Sequence, residues 1–326
     1  MSTARHMIAL LKSHLEGDDK EFLSIAMQAA AQEARLGHGA IAQQLRDLID
    51  EAKRRSATAQ NRPGQLIVLE PRGELANLLS VQTPAIRLTD MSMPDTLSER
   101  LKRVLLEQRQ QRRLREHGLQ PRRKLLFIGP SGSGKTMTAS ALAGELHIPL
   151  FTIMLEGLIT KFMGETAAKL RLVFDAIRQA RGVYLFDEFD ALGAHRTQSN
   201  DVGEIRRVLN SFLQFLEKDT SDSLTVAATN HPEMLDRALF RRFDDVIEYL
   251  LPDTPLAEEI LKRKLAMFET ADLDWSRLLA ETQGLSHAEL VRASEEAAKH
   301  AVLAGCTHIT SETLLSALRE RKAASR

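Results

Sequence analysis

The sequence predicts an α/β fold in which a parallel, five-stranded sheet stands between a small helical domain at the front of the chain and a helical lid at its end. Two observations predict it. Between Lys124 and Leu251, short β-branched and aromatic runs alternate with amphipathic stretches of helix length, the pattern of a parallel sheet covered on both faces. Outside that interval, apart from a short run at Gln65–Glu70, the apolar residues recur at helical spacing.

In residues 1–55, Met7, Leu10, Leu11 and Leu15 share one stripe, Phe22, Ile25, Ala26 and Ala29 a second, and Ile41, Leu45, Leu48 and Ile49 a third. Asp18 stands where a cap for the middle helix is needed, and Gly37-His38-Gly39 separates it from the last. A unit this small is near the lower limit for an independent core, so it is expected to lean on a partner or a neighbouring subunit. Residues 56–85 read as linker, because Arg, Ser, Gln, Pro and Gly replace the periodic apolar positions; Gln65–Glu70 is a strand candidate within it. A basic helical segment, Leu97–His117, belongs to the main unit, 86–251. Its strand runs are Lys124–Gly129, Pro149–Leu155, Gly182–Phe189, Leu224–Asn230 and Asp245–Leu251. From Pro252 the strand signal stops, and Leu256, Ile260, Leu261, Leu265 and Phe268 open a tail of about four helices over 252–326.

Composition excludes several classes. The 326 residues hold 44 Lys and Arg against 44 Asp and Glu, so the chain is neither histone-like nor an acidic solvating tail. A single cysteine, Cys306, excludes a disulfide scaffold and a cysteine-ligated metal site, and fits a reducing compartment. No apolar run is long enough to span a bilayer, and His6, Lys12 and His14 interrupt the first residues, which therefore do not read as a signal peptide. A cytoplasmic location is expected.

Gly129-Pro130-Ser131-Gly132-Ser133-Gly134-Lys135-Thr136 fits the phosphate-loop pattern G-x-x-x-x-G-K-[ST], between a predicted strand and a helix expected to begin near Met137. Small residues let successive backbone N–H groups turn toward phosphate oxygens, and the helix N-terminus adds its positive end. Lys135 then neutralises the β and γ phosphates of ATP and the Thr136 hydroxyl ligates Mg2+. The run Val183-Tyr-Leu-Phe-Asp187-Glu188 is a buried strand ending in two carboxylates. Alone, that is equally a solvated strand end. Downstream of a phosphate loop it reads as Asp187 holding Mg2+ through its water shell and Glu188 polarising the attacking water, which points to hydrolysis rather than storage of nucleotide. The next strand ends at Asn230, on the edge where open α/β sheets bind ligands. Asn230 either orients the lytic water or serves as a turn former before Pro232.

Asn230 is succeeded by Leu235-Asp-Arg-Ala-Leu-Phe-Arg241-Arg242-Phe-Asp244, and here the chain resembles the AAA family of ATPases, over about Thr89 to Ala317. The resemblance is to the clade that includes spastin and katanin. It implies that Arg241 and Arg242 are arginine fingers reaching the γ-phosphate of the next subunit in a homo-oligomeric ring, a hexamer, so that hydrolysis requires assembly. Because the glycine of the commoner Gly-Arg-Phe-Asp ending is missing, the primary finger stays open between the two. Thr160-Lys161-Phe162-Met163-Gly164-Glu165 places an apolar pair between polar neighbours, a sign either of a contact or of a strand–helix junction. The resemblance implies that Lys161, Phe162 and Met163 line a central pore and grip extended polypeptide, with Arg196–Asp201 as a second pore loop. Gly284-Leu-Ser-His-Ala-Glu-Leu290 is similar to the family's lid stretch that approaches the nucleotide, with His287 in place of a glycine.

Together these residues read as an ATP-driven protein remodeller or unfoldase. H-E-x-x-H occurs nowhere in the chain, so any protease is a separate protein. Small bacterial AAA proteins similar to this one suggest a subtilisin-like peptidase as that partner. Two alternatives stand beside it. The segment Arg100–Lys124 carries ten basic residues against Glu107 and Glu116, which suits a nucleic-acid-directed machine, although no aromatic side chain is present for base stacking. A nucleotide-gated scaffold would assemble with ATP and release its partner without threading.

Overall fold

A strand at the centre of a doubly covered sheet is buried along its whole length and rich in apolar residues, and Leu224–Thr229 (β5) is buried at every position, its two threonines included. The computed structural model describes residues 71, 73–158, 163–190, 202–235 and 237–324 with the isolated helical positions 26, 27 and 43; at 163, 164, 202–207, 237 and 238 it describes backbone only. Backbone contacts divide the chain into Met1–Ile67 and Val68–Arg326, and the sheet and its helices belong to the second unit. The rest of the three-helix module expected over 1–55 and the strand expected at Gln65–Glu70 lie outside the described residues.

The remaining strands are β1 (Leu79–Gln82), β2 (Lys124–Ile128), β3 (Leu150–Ile153), β4 (Val183–Phe186) and β6 (Asp245–Glu248). They order as β1-β3-β4-β5-β2-β6. The five expected strands are all present and mutually parallel, but the sheet has six strands and is mixed. The addition is β1, which lies inside the stretch expected to be linker and pairs antiparallel with β3, Leu79 opposite Ile153 and Gln82 opposite Leu150. Four residues with only Leu79 buried carry too little apolar signal to stand out in the sequence.

Helices cover both faces. Asp95–Arg109 (α1) and Gln111–Glu116 (α2) precede β2, and Lys135–Leu146 (α3) comes after it. α1 turns Leu97, Leu101, Val104 and Leu105 inward, and α3 is built from Ala139, Ala141, Leu142 and Ala143, small enough to lie close on the sheet. Beyond β3 come the short Leu155–Leu158 (α4) and then Met163–Gln179 (α5), while Val202–Lys218 (α6) leads into β5. Phe174 of α5 and Phe212 of α6 meet edge to face at 5.7 Å over Phe186 and Phe189, all four buried. The buried Tyr184 stacks on Phe151 at 4.5 Å and satisfies its hydroxyl by donating to the Ala176 and Ala180 carbonyls.

Arg237–Phe240 (α7) precedes β6. Four helices then form the expected lid: Thr254–Lys264 (α8), Trp275–Glu281 (α9), His287–Leu303 (α10) and Ser311–Ala324 (α11). They enclose a core of their own around Ile260, Leu261, Leu278, Leu290, Leu314 and Leu318. Their starts are chemically marked. Asp253 accepts from Leu256 N, Asp274 from Arg277 N, and Ser286 with Glu289 closes a reciprocal capping box on α10.

Half of the basic segment's cations are engaged within this architecture. Arg122 joins Glu107 of α1 at 2.6 Å to Asp245 of β6 at 2.8 Å, and Arg100 pairs with the same Asp245. Arg109 bonds Glu145 at 2.9 Å, Arg115 pairs with Asp222, and Arg123 donates to the Ser221 carbonyl. The Arg122 guanidinium beside Glu107 holds that carboxyl below its usual range. These arginines tie α1 and α2 to the rest of the fold, which occupies half of the ten cations in Arg100–Lys124 without a polyanionic ligand.

Candidate active site

The phosphate loop turns on glycines in backbone conformations that other residues rarely adopt. Gly129, Gly132 and Gly134 have φ of 145°, 73° and 100°, a region that L-residues avoid. A Cβ on Gly129 would stand 2.2 Å from the carbonyl oxygen of Tyr249, just beyond β6. Gly129→Ala is therefore expected to cost at least about 1–3 kcal/mol of stability, read as a lowered urea midpoint with unchanged slope. Gly132 faces the lid: a Cβ there would lie 2.7 Å from Ser286 Oγ, and the Ala288 amide of α10 donates to the Gly132 carbonyl at 3.0 Å. The first turn of α10 is thus hydrogen-bonded to the phosphate loop.

Helix α3 begins at Lys135 itself, two residues before the expected start at Met137, which is exposed on its first turn. Lys135 is 6% exposed, and its Nζ donates to the carbonyls of Gly129 and Pro130, both at 2.8 Å. Burial lowers its pKa from the usual lysine value, while the Asp187 and Asp190 carboxylates work the other way. A buried ammonium satisfied only by loop carbonyls is a cation awaiting an anion. Ser133 Oγ is buried in the same loop with no hydrogen-bond partner. Orphaned donor, buried lysine and helix N-terminus together fit a polyphosphate.

The hydrolytic edge forms where β4 ends. Thr136 Oγ1 donates to Asp187 Oδ2 at 2.6 Å, joining the first turn of α3 to β4 and setting a hydroxyl beside a carboxylate, hard oxygen donors of the kind Mg2+ takes. Asp187 Oδ1 accepts from the backbone N of Glu188 at 3.0 Å. Glu188 is exposed and left-handed, at φ 49°, one of two non-glycine residues so placed among those described. That strained turn carries the carboxylate off the strand line at the position where the sequence expects the water-polarising group.

Asn230 is half-buried at the end of β5, one strand over. Its neighbour in space is Asp190, a residue that no sequence motif singles out. Asp190 Oδ1 accepts from Thr229 Oγ1 at 2.9 Å and from the Asn230 amide at 3.2 Å. The four-residue run Asp187-Glu-Phe-Asp190 displays the carboxylate, but only strand order brings it to β5.

Arg241 and Arg242 are both exposed in the turn before β6. Arg242 pairs with Glu217 of α6, whereas Arg241 has no hydrogen bond or ion pair among the described residues. His287 opens α10 with its Nδ1 buried and unpartnered; burial lowers its pKa from the usual imidazole value, and the Ser92 backbone beside it works the other way. Lys161 and Phe162, and the second loop at Arg196–Asp201, lie outside the described residues. Met163 is described only as the first residue of α5.

Three comparisons bear on the family and the fold. The model of the ATPase family associated with various cellular activities (AAA) matches residues 125–251. An uncharacterized AAA family ATPase, y4kL of Sinorhizobium fredii, is 34% identical over 304 residues, covering 93% of this chain and 90% of that one. The ATP-dependent zinc metalloprotease FtsH 3 of Sphaerobacter thermophilus is 33% identical over 76% of this chain, and the proteasome-activating nucleotidase of Methanoregula boonei 36% over 62%; the chain spans about half the length of each, 52% and 48%. Among solved structures, the FIGL-1 AAA domain superposes with a TM-score of 0.60 at 23% identity, covering 74% of this chain and 85% of that one, which bears on the fold alone. With a near full-length relative, the family's motif region and the hydrolytic edge all in agreement, the chain belongs to the AAA family of ATPases.

Proposed function

We propose that this ATPase works as a ring that remodels polypeptide, pulling it through a central pore lined by Lys161, Phe162 and Met163. One observation carries the ring: Arg241, an exposed guanidinium with no partner among the described residues, sits in the turn leading to β6. A cation so placed suits stabilisation of transition-state charge in a neighbouring subunit, six of which would close a hexamer. Two relatives support the polypeptide substrate by name, one an ATP-dependent metalloprotease and the other a proteasome-activating nucleotidase. Residues 1–55 would then select substrate or dock a partner.

The parts at the nucleotide derive from the site. Residues Gly129 to Met137 would hold ATP, with Lys135 exchanging its loop carbonyls for phosphate oxygens. Mg2+ held by Thr136 and Asp187 would neutralise phosphate charge. Glu188 accepts the proton of the attacking water, and Asn230 orients that water.

A folded fluorescent reporter with an unstructured tail tests the proposal. ATP is expected to extinguish its fluorescence with the wild-type chain, and Phe162→Ala is expected to slow that loss at least tenfold. A separate subtilisin-like protease is proposed as the partner that consumes the unfolded chain, and the same assay with candidate peptidases added would show coupled degradation. No described helix is long and apolar enough to cross a membrane, and a cytoplasmic site of action is part of the proposal. Hydrolysis stimulated by DNA and abolished by salt, with the reporter left folded, would favour a nucleic-acid-directed machine instead; the pairing of Arg100, Arg109, Arg115, Arg122 and Arg123 within the fold weighs against it. A ring that assembles with ATP and leaves the reporter folded without any DNA effect would favour the scaffold.

A further inference from the structure

We infer that Asp190 is a positioning residue of the hydrolytic site, the clasp that fixes the spacing between Glu188 and Asn230. Glu188 sits in an exposed, strained turn, and Asn230 closes a different strand. Nothing in either side chain sets the distance between them. What joins the two segments is a set of three hydrogen bonds. Phe189 N donates to the Ala228 carbonyl at 2.8 Å, Thr229 Oγ1 donates to Asp190 Oδ1 at 2.9 Å, and Asn230 N donates to the same Oδ1 at 3.2 Å. His231 N in turn donates to Thr229 Oγ1 at 3.0 Å, so that hydroxyl both accepts and donates.

The chemistry of this set is asymmetric. The first bond joins two backbones and survives any side-chain change. The other two depend on one carboxylate oxygen, and their donors are a hydroxyl on a fully buried residue and the first amide past the strand. Remove the oxygen and both donors are left without it in a place where water has little access. Phe189, between the two acids, is locked in the core against Phe212 at 4.7 Å. The turn is therefore pinned at its middle by packing and at its end by Asp190, leaving Glu188 as the free projection between Asp187 and that pin. Displacements of about 1 Å at a reacting centre carry rate penalties of about a hundredfold.

A second role competes for the same carboxylate, because Asp190 also acts on Lys135 through its charge. The two roles separate by substitution. Asp190→Asn keeps an oxygen that accepts both bonds and deletes the charge; Asp190→Ala deletes both; Thr229→Val deletes one of the two bonds to Asp190, together with the acceptor of His231 N, and leaves the charge. The inference rests on Glu188 and Asn230 acting on the lytic water, so Asn230→Ala is measured alongside.

The experiment uses the full chain, with ATP turnover at saturating MgATP and equilibrium binding of a fluorescent ATP analogue as separate readouts. Asp190→Ala is expected to lower kcat at least tenfold with affinity within threefold of wild type, Asp190→Asn to recover to within threefold, and Thr229→Val to fall between. Equal losses in Asp190→Asn and Asp190→Ala, accompanied by lost nucleotide affinity, would assign Asp190 to charge balance at Lys135 and overturn the clasp. Should Asp190→Ala not fold, Asp190→Asn and Thr229→Val decide: a tenfold loss in the first, or wild-type turnover in the second, overturns it. If Asn230→Ala retains full turnover, the failure lies in the role given to Asn230.

Discussion

Glu188→Gln is expected to lower ATP turnover by about 100- to 1,000-fold while leaving nucleotide binding within a fewfold of wild type. The split arises from where the residue stands. In the proposed function binding rests on the loop from Gly129 to Thr136, on Lys135 and on the Thr136–Asp187 pair, none of which is hydrogen-bonded to the Glu188 side chain. Glu188 is tied to them only through its backbone amide, which donates to Asp187. Glutamine keeps that amide, the side-chain length and one carbonyl oxygen; it loses the basic oxygen that takes a proton from water. Phosphate release at saturating ATP and the affinity for a fluorescent analogue give the two halves. A parallel fall in both would mean that the left-handed turn collapses without its charge and that Glu188 is a structural residue. Retained turnover would move the proton acceptor elsewhere on the edge, with Asp190 the nearest carboxylate along the chain after Asp187.

The same edge shows what a sequence can and cannot disclose. The loop at 129–136, the acids at 187–188 and the arginines at 241–242 are each contiguous in the chain and flanked by the element that aims them, so pattern and place agree. Five strands are legible because each is an apolar run closed by turn or polar residues. β1 is not, since Leu-Ser-Val-Gln is half-exposed and gains its place only from the free outer edge of β3. The basic run Arg100–Lys124 misleads in the opposite sense. Composition displays ten cations, but the acids that pair with Arg100, Arg109 and Arg115, namely Asp245, Glu145 and Asp222, lie beyond the segment and arrive by folding. Asp190 and Glu217 belong to the same class: ordinary acids whose partners are set by strand order and helix packing. The contact between Gly132 and the first turn of α10 is another such case, because the two segments are far apart in the chain and meet only in the folded structure.

Chains carrying Arg241→Ala and chains carrying Glu188→Gln, each close to inactive alone, are expected to regain about a quarter of the wild-type rate when mixed in equal amounts. Each variant lacks a part that the other keeps. An Arg241→Ala chain keeps Lys135, Thr136, Asp187 and Glu188 but offers its neighbour no finger. A Glu188→Gln chain keeps the finger but not the acid. A working site needs the first as holder and the second as neighbour, a combination that random assembly gives about one time in four. Arg241→Ala alone is expected to lose about a thousandfold in turnover, the scale of a guanidinium that neutralises transition-state charge. Arg242→Ala supplies the comparison. Its ion pair with Glu217 joins two exposed groups, so it contributes about 1 kcal/mol or less, too little to withhold Arg242 from a phosphate but enough to bias the pair toward Arg241 as primary finger. A smaller loss in Arg242→Ala, deepened when both are replaced, fits that order. If mixing restores nothing while both variants still assemble, the arginine acts within its own chain or only on structure, and the ring loses the observation on which it was proposed.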